Sequence, residues 1–296
     1  MNITNNLSLP EPFVQAVKKE YQYKPKRYSV TEILKGSCQV MLERRFSNTV
    51  DQDVSDMIWL ILGTAVHKVL ENAQETDDQI KEGKIEIPVG DGYVLSGIFD
   101  LYDAKRKTVT DYKTASCWKV IFNDWSDYRK QLLMYAYMLR KIGFECDSGE
   151  IIAILKDHSK MKAKIDSTYP QYPVYKVTFN FTDDDFKEIE EFINQRFDEL
   201  KKAEKTPTEK LIACSREERW ATDDKYAVMK KGKKAAVKLC DTEELALQYI
   251  VDKNLDEHQH YIEYRAGENK KCNEYCSVSG LCPFYQSIKK ATKEEE

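Results

Sequence analysis

Residues 93–114 constrain this chain more than any other stretch. Tyr93 to Tyr102 is mostly β-branched, aromatic or aliphatic, Lys105, Arg106 and Lys107 read as a basic turn, and Thr108 to Thr114 resumes a strand pattern. Two strands joined by so short a connection pair side by side in a sheet. The period of two then fixes side-chain direction: Val109, Asp111 and Lys113 share one face of the second strand, Thr110 and Tyr112 the other. Pairing brings Asp100 of the first strand beside Asp111 and Lys113. Two carboxylates and one ammonium converge at a sheet edge.

These residue types suit phosphodiester hydrolysis. Hard oxygen ligands hold Mg²⁺ or Mn²⁺ and leave positions open for water and a phosphate oxygen. Such a cation lowers the pKa of a bound water and offsets transition-state charge, and a neighbouring lysine adds to that stabilisation. An isolated Asp-x-Lys tripeptide is more often a solvated surface, so the argument depends on its neighbours.

The chain of 296 residues allows one large domain or two ordinary ones, and 42% hydrophobic residues suffice for a core. Net charge is −4, so a nucleic-acid partner must be met by a local basic surface. The longest apolar run, Met57 to Val66, is too short to span a bilayer, and the polar start shows no secretory pattern. The cytosol is the expected compartment, with no membrane partner. Eight cysteines there read as thiols or metal ligands rather than disulfides.

Residues 1–28 lack strong periodicity and read as a loose lead-in. A capping-box pattern, Ser29-Val30-Thr31-Glu32, opens a helical region whose amphipathic part runs from Ile33 to Phe46 and contains Cys38, a candidate core residue. Asp53 to Glu71 reads as one long helix, apolar round most of its circumference up to Val66 and therefore expected to be buried. Gly63, His67 and Glu71 share a stripe on it. Ser116 to Asp127 shows no clear period. Tyr128 to Ile142 is an amphipathic helix with Gln131 and Tyr135 as i, i+4 neighbours. Gly149 to Lys156 and Val174 to Phe181 read as strands, separated by a basic loop at Asp157 to Lys164. Thr182 caps a helix running to about Glu204, with three aspartates in its first turn.

Composition shifts near Thr206-Pro207. The divisions expected are a core at 29–205, an extension at 206–288 and a frayed tail at 289–296. Met229 to Leu239 holds five lysines and no acid, with Gly232 at a hairpin tip, and Asp241 to Asp252 is a short helix. Lys160, Lys162, Lys230, Lys231, Lys233 and Lys234 are candidates for contacting backbone phosphates. Cys272, Cys276 and Cys282 form a C-x3-C-x5-C run in polar surroundings. Three cysteines this close point to a shared metal or iron–sulfur site that staples the tail to another segment. A zinc ion or a four-iron cluster held by cysteine alone needs a fourth thiolate, for which Cys214 and Cys38 are the candidates.

Taken together, the pieces resemble the PD-(D/E)XK nuclease superfamily in its RecB-like branch. Gly63 to Glu71 (GTAVHKVLE) resembles the helix carrying a metal-binding histidine, Gly97 to Asp100 (GIFD) the first acidic motif, Asp111 to Lys113 (DYK) the motif that names the superfamily, and Gln131 with Tyr135 the Q-x3-Y motif of the following helix. They occur in family order over about residues 60–140. The resemblance implies an α/β fold with a restriction-endonuclease-like mixed sheet flanked by helices, plus a cysteine-stapled C-terminal extension. It implies metal ligation by His67, Asp100, Asp111 and the Tyr112 carbonyl, Lys113 as the catalytic lysine, Gln131 and Tyr135 in support, and Glu71 behind the ligands. The closing cysteines resemble the iron–sulfur site of RecB-like relatives. Segments 29–46, 157–174 and 214–220 are more similar to a group of phage and prophage nucleases, in which a cysteine placed like Cys214 is the fourth ligand. Cys38 stays the alternative ligand, and Zn²⁺ the alternative to a 4Fe–4S cluster.

The function implied is a Mg²⁺- or Mn²⁺-dependent deoxyribonuclease, an exonuclease of phage recombination, repair or DNA processing, in the cytoplasm of a bacterial host. A phage single-strand annealing protein would be its partner. Its rivals are a CRISPR-adaptation-type or site-preferring endonuclease and a non-catalytic DNA-binding subunit that keeps the fold.

Overall fold

The computed structural model describes residues 2–18, 22–49, 51–74 and 76–294, with side chains to residue 290. These residues divide into two compact units, Met1–Pro207 and Thr208–Glu296. In the first, the order is β1 (Asn2–Thr4), α1 (Glu11–Val17), β2 (Arg27–Ser29), α2 (Val30–Ile33), α3 (Ser37–Arg45), β3 (Asp51–Asp53), α4 (Ile58–Glu71), β4 (Gln79–Gly90), β5 (Tyr93–Asp103), β6 (Thr108–Ala115), α5 (Cys117–Ile121), α6 (Ser126–Lys141), β7 (Ser148–Leu155), α7 (Lys160–Ile165), β8 (Val174–Asn180) and α8 (Asp183–Lys205).

A mixed sheet organises this unit. Its order is β2-β5-β6-β7-β8, and β4 takes the other edge of β5. The β2–β5 and β6–β7 pairs are parallel, the others antiparallel. The architecture is the expected mixed α/β sheet flanked by helices. On one face α6 buries an unbroken run from Leu132 to Leu139. Gly149 makes room for it, since a Cβ there would lie 3.0 Å from Leu132. The apolar stripe of α8, with Phe186, Ile189, Ile193, Phe197 and Leu200 buried, packs against α6 and α3. Each such side chain contributes about 1.5–3 kcal/mol relative to exposure. Thr182 and Asp185 form a capping box at the start of α8. Near its end, the Glu204 carboxylate accepts from the hydroxyls of Tyr28 (2.6 Å) and Tyr93 (2.5 Å).

Several local expectations are corrected. The lead-in carries structure: β1 pairs in parallel with β3, and the backbone N–H of Asn6 and the hydroxyl of Thr4 both donate to Asp53. A three-residue strand whose partner is about fifty residues away leaves no local periodicity. The Ser29 capping box is present, but its helix stops at Ile33 and restarts beyond Gly36. The basic 157–164 loop contains α7, capped by Ser159. No residue of the most apolar helix, α4, is buried, and Trp59 and Val69 are 57% and 70% exposed. It meets the sheet with Gly63 beside Thr114 of β6 and His67 against Asp100 of β5, and also lies beside α1.

The second unit contains β9 (Lys225–Lys230), β10 (Lys238–Cys240), α9 (Glu243–Asp252), β11 (His260–Arg265) and α10 (Pro283–Glu294). Its antiparallel sheet, ordered β10-β9-β11, closes over Val228, Cys240, Ala246 and Ile250. The tail expected to fray from Lys289 is helical as far as Glu294; residues 295 and 296 lie outside the described residues. Among the described residues no helix is long and apolar enough to cross a membrane.

Candidate active site

The site lies where strand pairing lapses on both edges of Asp100. The β5–β6 ladder runs from Asp103–Thr108 to Leu101–Thr110 and stops there. In place of a further rung, the Asp100 carboxylate accepts from the backbone N–H of Tyr112 at 2.6 Å. On the other edge, Lys81 pairs with Leu101 and Gly83 with Phe99, while Glu82, directly opposite Asp100, makes no rung. Glu82 has φ +48°, in the left-handed region that side-chain-bearing residues seldom occupy. Gly83 permits this detour, because the Phe99 ring occupies the space where a Cβ would stand.

Asp111 and Lys113 share a face of β6, as alternation requires, and their Oδ2 and Nζ atoms are 2.6 Å apart. The contact is an ion pair, and among the described residues Oδ2 has no donor besides Lys113. The other oxygen, Oδ1, accepts from Gln131 Nε2 at 3.3 Å, and the same amide reaches the Tyr135 hydroxyl at 3.3 Å. Gln131 and Tyr135 stand one turn apart on α6, so a single helix face supports the acid. Tyr135 in turn packs against Gly97, where a Cβ would come within 2.6 Å of its ring. The Tyr128 ring lies 5.4 Å from Lys113 Nζ.

His67 reaches the site from α4, placing Nδ1 3.2 Å from Asp100 Oδ1. Its ring meets the Tyr112 ring edge-on at 6.3 Å. Ligand atoms of His67, Glu82 and Asp100 all lie within 4.8 Å of one another. One imidazole nitrogen with carboxylate oxygens is a donor set that fits Mg²⁺ or Mn²⁺. Glu71, at the end of α4, pairs with Lys68 at 2.5 Å.

The electrostatics are those of crowded acids. Burial, and then the Asp111 charge, push the Asp100 carboxyl up to about 6, against the pull of the Tyr112 N–H, His67 and Lys113. Burial also raises Asp111, which is 3% exposed, with Lys113 and His67 opposing. Glu82 is raised by burial and by Glu71. A divalent cation would relieve all three.

The structure thus brings together His67, Asp100, Asp111, Lys113, Gln131 and Tyr135, with the Tyr112 backbone joining the two strands. Sequence reasoning missed Glu82. Its signal was a glycine, Gly83, inside the alternating run Gln79–Gly90, since a glycine within a strand marks a backbone irregularity.

The remaining candidates occupy other places. Lys160 and Lys162 lie exposed on α7, and Lys230, Lys231, Lys233 and Lys234 at the exposed β9–β10 connection. Cys38 is 1% exposed within α3. In the second unit, Cys272 is buried and Cys214, Cys276 and Cys282 are half-buried. Burial raises the Cys272 thiol, and Cys282 and Cys214 are near enough to raise it further. The segment after Cys214 is laced to the cysteine-bearing tail: Lys271 N–H donates to the Arg219 carbonyl at 3.1 Å, and the Trp220 and Tyr275 rings meet at 5.2 Å.

A family model of the PD-(D/E)XK nuclease superfamily matches residues 61–283. Among solved structures the chain is similar to SSO0001, with 18% identity and a TM-score of 0.43 over 60% of this chain and 78% of that one. It is also similar to an alkaline exonuclease (LHK-Exo) from Laribacter hongkongensis, with 11% identity and a TM-score of 0.39 over 66% and 95% of the two chains. A phage-related exonuclease from Haemophilus somnus 129PT aligns with 13% identity and a TM-score of 0.32 over 56% and 81%. No curated protein matches the chain.

Proposed function

The chain belongs to the PD-(D/E)XK nuclease superfamily, and from that premise we propose that it is a divalent-metal-dependent deoxyribonuclease that digests DNA from an end. The observation carrying this reading is the convergence of His67, Glu82, Asp100, Asp111 and Lys113 at one break in the sheet. Hydrolysis adds water across a P–O bond and leaves a phosphate monoester and a hydroxyl. His67, Asp100 and Asp111 would hold Mg²⁺ or Mn²⁺, with the Tyr112 carbonyl as a further ligand. When bound, the cation supplies Lewis-acid charge to the phosphate and lowers the pKa of water.

The chain's own groups do the rest. The Lys113 ammonium, held between Asp111 and the Tyr128 ring, is positioned to offset negative charge developing on the phosphate oxygens. Gln131 fixes the orientation of Asp111 and is itself steadied by Tyr135. Exposed Lys160 and Lys162, and the lysines of the β9–β10 connection, are offered as phosphate contacts, so DNA affinity falls steeply with salt. Cys214, Cys272, Cys276 and Cys282 are proposed as ligands of a 4Fe–4S cluster or a zinc ion. The nearness of Cys282 and Cys214 to the Cys272 thiol supports this.

End-directed digestion is favoured by the resemblance of segments 29–46, 157–174 and 214–220 to phage nucleases; a site-preferring endonuclease uses the same groups. End-labelled linear and closed-circular DNA separate the two. Progressive loss of linear DNA with Mg²⁺ or Mn²⁺, stopped by EDTA, is the expected result. Lys113→Ala should lower the rate about 10²–10³-fold, and Asp111→Ala at least as much. Nicked circles would move the reading to an endonuclease. Intact DNA after incubation with folded, metal-supplied protein would move it to a DNA-binding subunit.

A further inference from the structure

Immediately beyond the candidate lysine the surface becomes aromatic. β6 ends at Ala115, two residues past Lys113, and α5 starts at Cys117. Trp118 of this short helix and Phe122, its C-cap, stack on each other, centroids 5.5 Å apart and planes 22° from parallel, yet they are 59% and 73% exposed. Single exposed apolar residues are ordinary; a group of them beside a site is not. Trp59 of α4 is tied to the end of β6 through Lys156. The terminal β6–β7 rung is Ala115–Leu155, Lys156 N–H donates to the Ala115 carbonyl at 2.9 Å, and Lys156 Nζ lies 3.8 Å from the Trp59 ring centre.

Lysines are interleaved with these rings. Lys119 Nζ is 4.8 Å from the Tyr128 ring that also faces Lys113, so aromatic and ammonium groups continue from α5 to the candidate site. Lys156 and Lys160 extend the positive charge along the next connection. The acid in that stretch, Asp157, is occupied in capping α5, accepting from the Ser116 hydroxyl at 2.6 Å and the Cys117 N–H at 2.7 Å.

We propose that Trp118 and Phe122 are a stacking platform for the bases of single-stranded DNA entering the candidate site. Ring faces for bases interleaved with ammonium groups for phosphates are the chemistry that single strands require, and an intact duplex keeps its base faces hidden. The occupant is therefore a single strand or a frayed end. The proposal rests on the nuclease reading for the destination of the strand; the binding itself needs no hydrolysis.

The test uses the full chain in EDTA, with fluorescein-labelled oligo-dT and an abasic oligonucleotide of equal length as probes. Wild-type protein is expected to bind oligo-dT about tenfold or more tightly than the abasic strand. Trp118→Ala with Phe122→Ala should remove that preference, and Trp118→Phe with Phe122→Tyr should keep most of it. Equal wild-type affinity for the two strands would overturn the proposal, and that comparison needs no variant to fold. So would a well-folded double-alanine variant that keeps the preference, or a wild-type oligomer that this variant converts to monomer, which would make the face a contact between copies. Asp111→Ala should keep the preference while losing hydrolysis, so failure of the nuclease reading and failure of the platform are distinguishable.

Discussion

Asp100 holds a conflict that a metal resolves. Its carboxyl is pushed up to about 6 by burial first and the Asp111 charge second, against about 3.9 in an unfolded chain. Below pH 4 both states are protonated and the group has no effect on stability. Between pH 4 and 6 the unfolded chain ionises first, so the metal-free fold loses stability there and does not regain it at higher pH. The loss at pH 7.5 is on the order of 1–3 kcal/mol. Asp100→Asn should therefore raise the Tm of metal-free protein at pH 7.5 by several degrees and leave it unchanged at pH 4. Mn²⁺ should raise the wild-type Tm and not the variant's. Thermal scans in EDTA and in Mn²⁺ at the two pH values check both; a lower variant Tm in EDTA at pH 7.5 would refute the assignment of strain to Asp100. Glu82→Gln is expected to weaken Mn²⁺ binding, measured calorimetrically, by about tenfold or more, and an unchanged affinity would reduce Glu82 to a strand residue. These residues differ in how legible they were. Alternation placed Asp111 and Lys113 on one face and pairing placed Asp100 beside them. Glu82 escaped because its left-handed backbone has no expression in a period of two.

At the scale of elements, the long ones announced themselves. In α6 and α8 the 3.6-residue period is strong enough to be read locally; burial follows it in α8, whereas α6 is buried all round from Leu132 to Leu139. The short ones did not. β1, β3, α5 and α7 are three to six residues long and owe their form to distant partners or a single cap. α4 shows a different failure, since apolarity foretold burial, whereas its residues stay exposed or half-buried. The break in the sheet at Asp100 is testable through Gly83. An alanine there would place its Cβ 2.0 Å from Phe99 Cζ, so the ring or the strand must shift. Gly83→Ala should cost about 1–3 kcal/mol and, by dragging Glu82 from its place, should lower Mn²⁺ affinity as well. A fall in Tm with metal affinity intact would separate the pairing lapse from the metal site.

For the whole molecule, a composition shift near Thr206-Pro207 marked where the character of the chain changes, but not what the later residues build. The β9–β10 hairpin was foreshadowed by Gly232, but β11 was hidden because it is short and returns to β9 only after α9, and the sheet closes over only a small apolar cluster. A unit with so small a core usually needs a staple. Cys214 and Cys282 both act on the Cys272 thiol, and Cys276 is held in the same turn as Cys272, its N–H donating to the Lys271 carbonyl at 2.8 Å. If these thiolates bind a cluster or zinc, its binding energy is folding energy for this unit. Protein purified without oxygen should then contain either iron with visible charge-transfer absorption or one equivalent of zinc. Cys272→Ser and Cys214→Ser should lose that metal and become protease-sensitive between residues 208 and 296, while residues 1–207 stay resistant. Cys38→Ala should keep the metal, because Cys38 is packed within α3 at 1% exposure and pays only for a small cavity. Loss of metal in Cys38→Ala with retention in Cys214→Ser would exchange their roles, and full protease resistance in every variant would mean that the second unit stands on its apolar cluster alone.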